Sequence, residues 1–455
     1  MSNLRRLLFA AVALVAAPAV AEPIADDPEL GALYIPGGLT SDAAAGRARV
    51  ASPAVARRLA ELESAVIAIE TAKLARVPQV SAKLAYTRLS SVEQGVIPIA
   101  AGSSSSLTFP QLLDSYVAQA QIVVPLSDYV LRHPGTIGAA KLGAEAARSS
   151  ALASSNDAAS TARRAYYEWI RARLQLVISQ RQLWQVQGNL ARVREVYAAG
   201  RAPRADLLRI ESQEAETEQL VDRLRTGAQL REEILRLQIG ARPGETLTIG
   251  EDVRALVAAS SGSTDDLMAR AIAKRPELRA LRLAAEATEQ RRIAERAKQL
   301  PRLSAFGTAE YSNPNQRVFP ADDKFTGSWT AGLQLTWSLD EALVSRTQTR
   351  RLLADQRALA ADHEAAVRDV RIAVISAQQH VDNARRAIAS TAKGLEAAEE
   401  GYRVRRALLA AERVTAVELV DAETDLARAR IAALAARIDL RIAIADLEHA
   451  IGADR

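Results

Sequence analysis

The feature that most constrains the fold is a long stretch without proline in which apolar residues recur with heptad spacing. No proline follows Pro320. The series runs through Val367, Val370, Val374, Ala377, Val381, Ala384, Ile388, Thr391, Leu395, Ala398 and Tyr402. Such spacing predicts coiled-coil-type packing of long helices. A helix over residues 341–402 would be about 90 Å long, which is too long for the core of an ordinary globular domain.

A second heptad series follows the first and predicts a returning helix. It consists of Leu419, Ala422, Leu426, Ala429, Ala433, Ala436, Leu440, Ala443, Leu447 and Ala450. The many alanines allow close approach of the paired helices. An elongated coiled-coil hairpin would explain these two segments if they are considered without the rest of the chain.

A strand with one apolar face precedes the first heptad series. Its residues, 328–339, are SWTAGLQLTWSL, in which apolar and polar side chains alternate. Trp329 and Trp337 lie on the apolar face, and their separation is about 27 Å in an extended strand. This distance is close to that between the two aromatic girdles of an outer-membrane β-barrel. A half-buried strand of a soluble protein alternates in the same way, so a soluble sheet stays an alternative.

Three other segments also alternate with period two, and long polar loops connect the strands in pairs. These segments are approximately 78–88, 115–126 and 302–312. The predicted aromatic girdle comprises Tyr86, Tyr116, Tyr311, Trp329 and Trp337. Four strands are too few to close a barrel, and lipid does not tolerate open sheet edges. Several copies of the chain must therefore share one barrel, if the strands enter a membrane.

The sequence contains two internal repeats. Similar segments around residues 78 and 301 read RVPQVSAKLAYTRL and QLPRLSAFGTAEYS. Each precedes a second strand and a long helical hairpin. The predicted organisation is an N-terminal extended segment (22–51), a first repeat (52–245) with its hairpin at about 136–240, a linker (246–263), and a second repeat (264–452) with its hairpin at about 341–450.

The N-terminus predicts export from the cytoplasm. Residues 1–21 contain Arg5 and Arg6, an apolar run, and then Ala19-Val20-Ala21, which is the pattern of a cleaved signal peptide. The chain has no cysteine, which excludes disulfides and an acylated cysteine anchor. No later run of 18 apolar residues could form a transmembrane helix. Entry into a membrane would therefore require a β-barrel.

The charge and motif content exclude several classes of function. The 59 basic and 54 acidic residues are interspersed, giving a net charge of +5 without the basic stripe of a nucleic-acid-binding protein. Phosphate-binding loops, dinucleotide fingerprints and zinc-protease motifs are absent, and the four histidines are scattered. We therefore expect no enzyme activity, no cofactor and no dedicated metal site.

The order of these elements resembles the TolC family of outer-membrane efflux proteins over about residues 52–452. The segments that carry the resemblance are PQVSA and PRLSA at the strand starts, RPELRAL (275–281), GYRV (401–404) and VELVDAETDLARAR (417–430). The resemblance implies a mostly helical chain with a membrane β-barrel part. Three protomers would share a twelve-stranded β-barrel in the outer membrane and a trimeric α-barrel in the periplasm.

The resemblance also implies a function. The protein would be the outer-membrane channel of a tripartite efflux or type I secretion system. As a homotrimer in outer-membrane lipid, it would dock an inner-membrane transporter through a periplasmic adaptor (membrane fusion) protein. The alternative is a periplasmic coiled-coil adaptor or scaffold without a barrel. That alternative explains the signal peptide and the heptads, but not the duplicated strand pairs.

The match to the family assigns roles to residues at the ends of the helical hairpins. Glu418 and Asp421 would form an acidic pore gate, and three copies would make a cation-selecting constriction. The closed tips would be linked by Asp206, Tyr402 and Arg413. The adaptor would dock at Gly200, Arg201 and Pro203. The second tip departs from the first, because its segment RRALLAA makes it about one heptad longer.

Overall fold

The computed structural model describes residues 33–453 apart from 93–96, 99–105, 108–110, 256, 258–261 and 412. The predicted signal peptide and the beginning of the predicted N-terminal segment lie outside the described residues. The chain divides into two compact units. The described part of unit 1 comes from Met1–Ser52, Asp157–Leu267 and Ala373–Arg455, and that of unit 2 from Pro53–Asn156 and Met268–Ile372. Each unit therefore contains segments from both halves of the sequence.

The described chain is mostly helical. Its helices are α1 (Ser41–Ala51), α2 (Pro53–Leu74), α3 (Leu126–Leu131), α4 (His133–Ala198), α5 (Arg204–Ile239), α6 (Thr264–Lys274), α7 (Pro276–Arg296), α8 (Leu339–Ala410) and α9 (Ala416–Ala450). Its strands are β1 (Tyr34–Leu39), β2 (Gln79–Arg88), β3 (Ile97–Pro98), β4 (Ser106–Leu107), β5 (Asp114–Val124), β6 (Arg302–Asn313) and β7 (Thr326–Thr336). Among the described helices, none has the length and apolar content needed to cross a membrane.

The heptad positions identify the packed faces of α8 and α9. Every residue of the two heptad series is buried or half-buried. Val374 is fully buried, and Val381 and Leu447 are 3% and 2% exposed. The prediction of these packed faces from apolar spacing is thus confirmed.

Large aromatic side chains fill the main core of unit 1. Tyr166, Trp169 and Ile170 of α4 are at most 1% exposed, and they pack with Leu434 and Ile438 of α9. Residues of α1 and α5 complete this cluster. Each large apolar side chain buried in this way contributes about 1.5–3 kcal/mol of transfer free energy.

Helix α1 departs from the sequence prediction. An extended segment was expected over 22–51, and this expectation is wrong for Ser41–Ala51. The Thr40 hydroxyl caps the helix by accepting a hydrogen bond from the Ala43 N–H at 3.1 Å. Ala44 and Ala48 are at most 2% exposed. Because the helix is short, tertiary packing of these alanines stabilises it more than local propensity does.

A half-buried carboxylate anchors the start of α1 within unit 1. Glu251 accepts hydrogen bonds from the Ser41 N–H and, at 3.0 Å, from the Tyr167 hydroxyl. The Arg441 guanidinium lies 3.6 Å from the same carboxylate and donates to the carbonyls of Asp252 and Ala255. This half-buried carboxylate is therefore paired and hydrogen-bonded, which offsets the cost of removing its charge from water.

Two glycines allow β1 to contact the segment that precedes Glu251. The Leu39 N–H donates to the Thr248 carbonyl and the Gly250 N–H donates to the Leu39 carbonyl, both at 2.8 Å. A Cβ at Gly250 would lie 2.2 Å from the Gly38 carbonyl oxygen. Such a contact is impossible without a backbone shift, so the crossing requires glycine at this position.

Unit 2 contains an antiparallel sheet with strand order β2-β5-β6-β7. Residues paired across neighbouring strands share a face. The apolar face carries Val80, Ala82, Leu84, Tyr86, Tyr116, Ala118, Ala120, Ile122, Val124, Leu303, Ala305, Ala309, Tyr311, Trp329, Ala331, Leu333 and Leu335. The opposite face is mainly polar. Phe306 also lies on that face, with its ring against Gly332.

Strand β7 ends earlier than the alternation predicts. The pattern extends to residue 339, but β7 ends at Thr336. The Trp337 indole N–H donates to the Gln299 carbonyl at 3.2 Å, and Ser338 lies at the start of α8, where its hydroxyl is 3.5 Å from the Glu341 N–H. These polar contacts turn the chain into α8, so the two tryptophans do not belong to one continuous strand.

We expect Gly250→Ala to destabilise unit 1 by about 1–3 kcal/mol, because the added methyl group overpacks the crossing with β1. Gly227→Ala is the matched control, since a Cβ there meets nothing within 4 Å. In the middle of α5 it should instead stabilise by up to about 1 kcal/mol. Thermal unfolding followed by circular dichroism measures both effects. Equal midpoints for the two variants would contradict the crossing.

Candidate functional site

The candidate site of unit 1 lies where the hairpin helices end and turn. The first turn, between α4 and α5, follows a Schellman motif. In this motif the Gly200 N–H donates to the Tyr197 carbonyl at 2.8 Å and the Arg201 N–H donates to the Val196 carbonyl at 3.0 Å. Gly200 has a φ of 71°, a conformation that glycine adopts without strain. Gly200, Arg201 and Pro203, the predicted docking residues, are all exposed.

An apolar cluster holds the two turns together. Its buried members are Val186, Leu190, Val193, Ile210, Val417 and Val420. They come from the end of α4, the beginning of α5 and the beginning of α9. The turns are therefore positioned by packing, with polar residues around the cluster.

Glu418, a predicted gate residue, belongs to a capping box at the start of α9. The Glu418 N–H donates to the Thr415 hydroxyl at 3.3 Å, and the Glu418 carboxylate accepts from the Thr415 N–H at 3.3 Å. This arrangement satisfies two helix N–H groups that otherwise have no partner. It also places a negative charge at the positive end of the helix dipole. The Glu418 side chain remains exposed.

Asp421, the second predicted gate residue, lies one turn further along α9 and pairs with a residue of α5. The Arg209 guanidinium donates to its two carboxylate oxygens at 3.0 and 3.2 Å. About half of each side chain is exposed, so this ion pair contributes at most about 1 kcal/mol. The pair fixes the direction of the carboxylate more than it stabilises the fold.

The three predicted link residues lie apart from one another. Among the described residues, no hydrogen bond or ion pair joins Asp206, Tyr402 and Arg413. Tyr402 is half-buried against the apolar cluster of Leu395 and Leu426. Asp206 is half-buried and Arg413 is exposed.

Glu423 is a functional candidate that sequence reasoning missed. It is only 6% exposed, and its carboxylate accepts a hydrogen bond from the buried Asn189 amide at 2.7 Å. Burial raises the pKa of the Glu423 carboxyl above its ordinary value, although the Asn189 hydrogen bond and the charges of Arg192 and Arg406 oppose this. One feature of the sequence did indicate this burial. Glu423 directly follows Ala422 of the heptad series, so its side chain lies near the helix interface.

The predicted aromatic girdle occupies one end of the apolar sheet face in unit 2, except for the tryptophans. Tyr86 and Tyr116 are paired across β2 and β5 with ring centroids 5.1 Å apart. Phe325 joins Tyr311, at 5.3 Å, to Tyr116, at 6.0 Å. Phe325 is therefore an additional member of this aromatic group. Trp329 is 73% exposed on the same face.

The described residues contain no group of three or more His, Cys, Asp or Glu side chains that could hold a metal ion. Of the acidic residues at the turns, Glu418 belongs to a capping box and Asp421 forms an ion pair.

Comparisons with known proteins agree with this architecture. Residues 267–453 match the sequence model of the outer membrane efflux protein family. No curated protein sequence matches the chain. The resemblance to TolC-like efflux proteins is thus confirmed for the second half of the sequence by the family model, and for the fold by solved structures.

Several solved channels share the fold over nearly their whole length. The outer-membrane channel OprN aligns with a TM-score of 0.72 at 18% identity, covering 96% of this chain and 97% of that chain. CusC aligns with a TM-score of 0.75 at 16% identity, covering 92% and 93%. The outer membrane protein VceC of Vibrio cholerae aligns with a TM-score of 0.73 at 16% identity, covering 90% and 96%. These structures share the fold of this chain, and the family match covers residues 267–453.

We expect Glu423→Gln to stabilise the protein at about pH 7 and to have little effect at about pH 4. The folded pKa of Glu423 is raised, so the native state holds its proton more tightly than the unfolded state does. Wild-type stability therefore falls as the pH rises from the unfolded pKa through the folded one. Glutamine keeps the acceptor for Asn189 and cannot ionise.

Thermal unfolding midpoints at the two pH values test this expectation. Glu218→Gln, at an exposed position of α5, is the control and should change neither midpoint. A lower midpoint for Glu423→Gln at about pH 7 would mean that the charged carboxylate stabilises the fold.

Proposed function

We propose that the protein is the outer-membrane channel of a tripartite efflux or type I secretion system. Three copies would form a passive duct from the periplasm to the exterior. The periplasmic helices would dock an inner-membrane transporter through a periplasmic adaptor protein. The observation that carries this proposal is the four-stranded sheet, which has one apolar face and two open edges.

The exposed apolar face supports placement of the sheet in lipid. Leu84, Trp329 and Leu333 are 86%, 73% and 69% exposed, and they share this face. A contiguous apolar surface of this kind is rare on a soluble monomer. The polar side chains of the other face would line a water-filled interior, as in barrels that conduct solutes.

The two edges of the sheet support a ring of several copies. Among the described strands, β2 and β7 each have a partner on one side only. Because four antiparallel strands alternate in direction, these two edge strands run in opposite directions. The β7 strand of one copy can therefore pair antiparallel with β2 of the next. Three copies would give twelve strands, which is within the range of closed membrane barrels.

The gate proposal concerns the turns of unit 1. In a trimer, Glu418 and Asp421 would form acidic rings around the pore axis and favour cations. Both side chains are exposed at the start of α9, and the capping box and the Arg209 pair fix them in place. Asp206, Tyr402 and Arg413 would link neighbouring hairpins in the closed state. Gly200, Arg201 and Pro203 would contact the adaptor.

A charge on the apolar face tests the position of the sheet. We expect Ala331→Arg, near the middle of β7, to cost about 2–4 kcal/mol in lipid and to abolish the folded trimer in outer-membrane fractions. Thr330→Arg is the matched control, because the neighbouring residue points to the polar face. It should leave the trimer intact. Equal yields of trimer from both variants would place neither face in lipid.

Neutralised acids test the gate. We expect Glu418→Gln combined with Asp421→Asn to reduce cation selectivity in planar bilayers, which moves the reversal potential in a salt gradient toward zero. Glutamine is a normal member of a capping box, so the helix start is preserved. Asp222→Asn is the control, because it also removes an exposed, arginine-paired carboxylate. An unchanged reversal potential in the double variant would remove both residues from the gate.

A further inference from the structure

A groove of unit 2 has a composition that the proposed duct does not explain. Its volume is about 950 Å³, which is in the range of sites for drug-sized molecules. Four helices, α2, α4, α7 and α8, contribute its lining. The floor consists largely of alanines, among them Ala68, Ala72, Ala139 and Ala294. Small side chains on four helices leave space that larger ones would fill.

Close packing of α7 against its neighbours fixes the shape of this groove. A Cβ at Gly135 of α4 would lie 3.0 Å from the Gln290 carbonyl oxygen of α7, so the glycine permits the two backbones to approach. On the other side, the Ser345 hydroxyl of α8 donates to the Glu295 carbonyl at 2.7 Å. The walls are therefore preformed, which lowers the free-energy cost of binding a ligand.

The charged lining of the groove is mainly basic. Four cations, Arg132, Arg291, Lys298 and Arg351, face two carboxylates, Glu295 and Asp355. Lys298 pairs with Glu295 at 2.8 Å. Arg132 lies 3.9 Å from Asp128, which is outside the lining.

Two of these cations have no fixed partner. Within the described part of the chain, the guanidinium groups of Arg291 and Arg351 make no hydrogen bond or ion pair. Asp355 lies one helical turn from Arg351 without pairing with it. A guanidinium presents several donors in a plane, which suits carboxylate, sulfonate and phosphate groups.

We infer that this groove binds an amphipathic organic anion. The apolar body of the ligand lies on the alanine floor, and its acidic group binds the guanidinium groups of Arg291 and Arg351. A solute of this class or an anionic lipid would both satisfy this chemistry. The inference goes beyond the proposed channel function, because it assigns a binding site and a ligand class and does not depend on conductance.

Protection of an introduced cysteine tests the inference directly. The chain has no cysteine, so Gln348→Cys places a single thiol in the groove lining. The thiol is modified with a maleimide on purified protein in neutral detergent, in the presence of naphthalene-2-sulfonate or its neutral sulfonamide. We expect the sulfonate to slow modification severalfold and the sulfonamide to have little effect.

Charge variants complete the test. In the Gln348→Cys protein, the additional substitutions Arg291→Gln and Arg351→Gln should abolish protection. The control pair, Arg346→Gln and Arg350→Gln, lies on α8 but outside the groove lining and should preserve protection. Three results would overturn the inference. They are equal protection by the sulfonamide, protection that survives the loss of Arg291 and Arg351, and a thiol that never reacts with the maleimide.

In a further arm of the experiment, phosphatidylglycerol replaces the sulfonate. Protection by the lipid assigns the groove to anionic lipid, and protection by the sulfonate alone assigns it to soluble solutes.

Discussion

Backbone hydrogen bonding at the edges of the sheet is the constraint on which the proposed architecture depends. Lipid offers no partner for N–H and C=O groups, so an open strand edge costs several kcal/mol for each unsatisfied group. In this chain β2 and β7 are such edges, and the face between them is apolar and exposed. Closure with further copies would satisfy the edges and would bring the apolar face to lipid. In our proposal the association of several copies follows from this requirement, and the resemblance to the TolC family sets their number at three.

In the helical turns of unit 1, the two residues of the proposed gate also stabilise the fold. Glu418 completes the capping box of α9, and Asp421 forms an ion pair with α5. Their carboxylates are thereby held in defined directions, which an electrostatic gate requires. Buried Glu423 behaves differently, because its charge is a cost to folding that the Asn189 hydrogen bond only partly offsets.

Periodic features were predictable from sequence, and features that depend on tertiary contacts were not. Heptad spacing located the buried positions of α8 and α9, and alternation assigned the faces of the sheet. The helix at Ser41–Ala51 was missed because its short sequence is stabilised by burial of Ala44 and Ala48. The early end of β7 depends on the Trp337 contact with Gln299, which is 38 residues away in sequence. The capping role of Glu418 was readable from Thr415 three residues earlier, but burial of Glu423 depended on the facing helix.

The central claim is that three copies of this chain close one barrel in the outer membrane. The most direct test is the mass of the protein extracted from outer membranes in neutral detergent, with the bound detergent subtracted. Our account predicts a stable particle of three chains with mostly helical circular dichroism. A monomer or dimer released from the periplasm without detergent would contradict it, because the edges of the sheet would then never meet lipid.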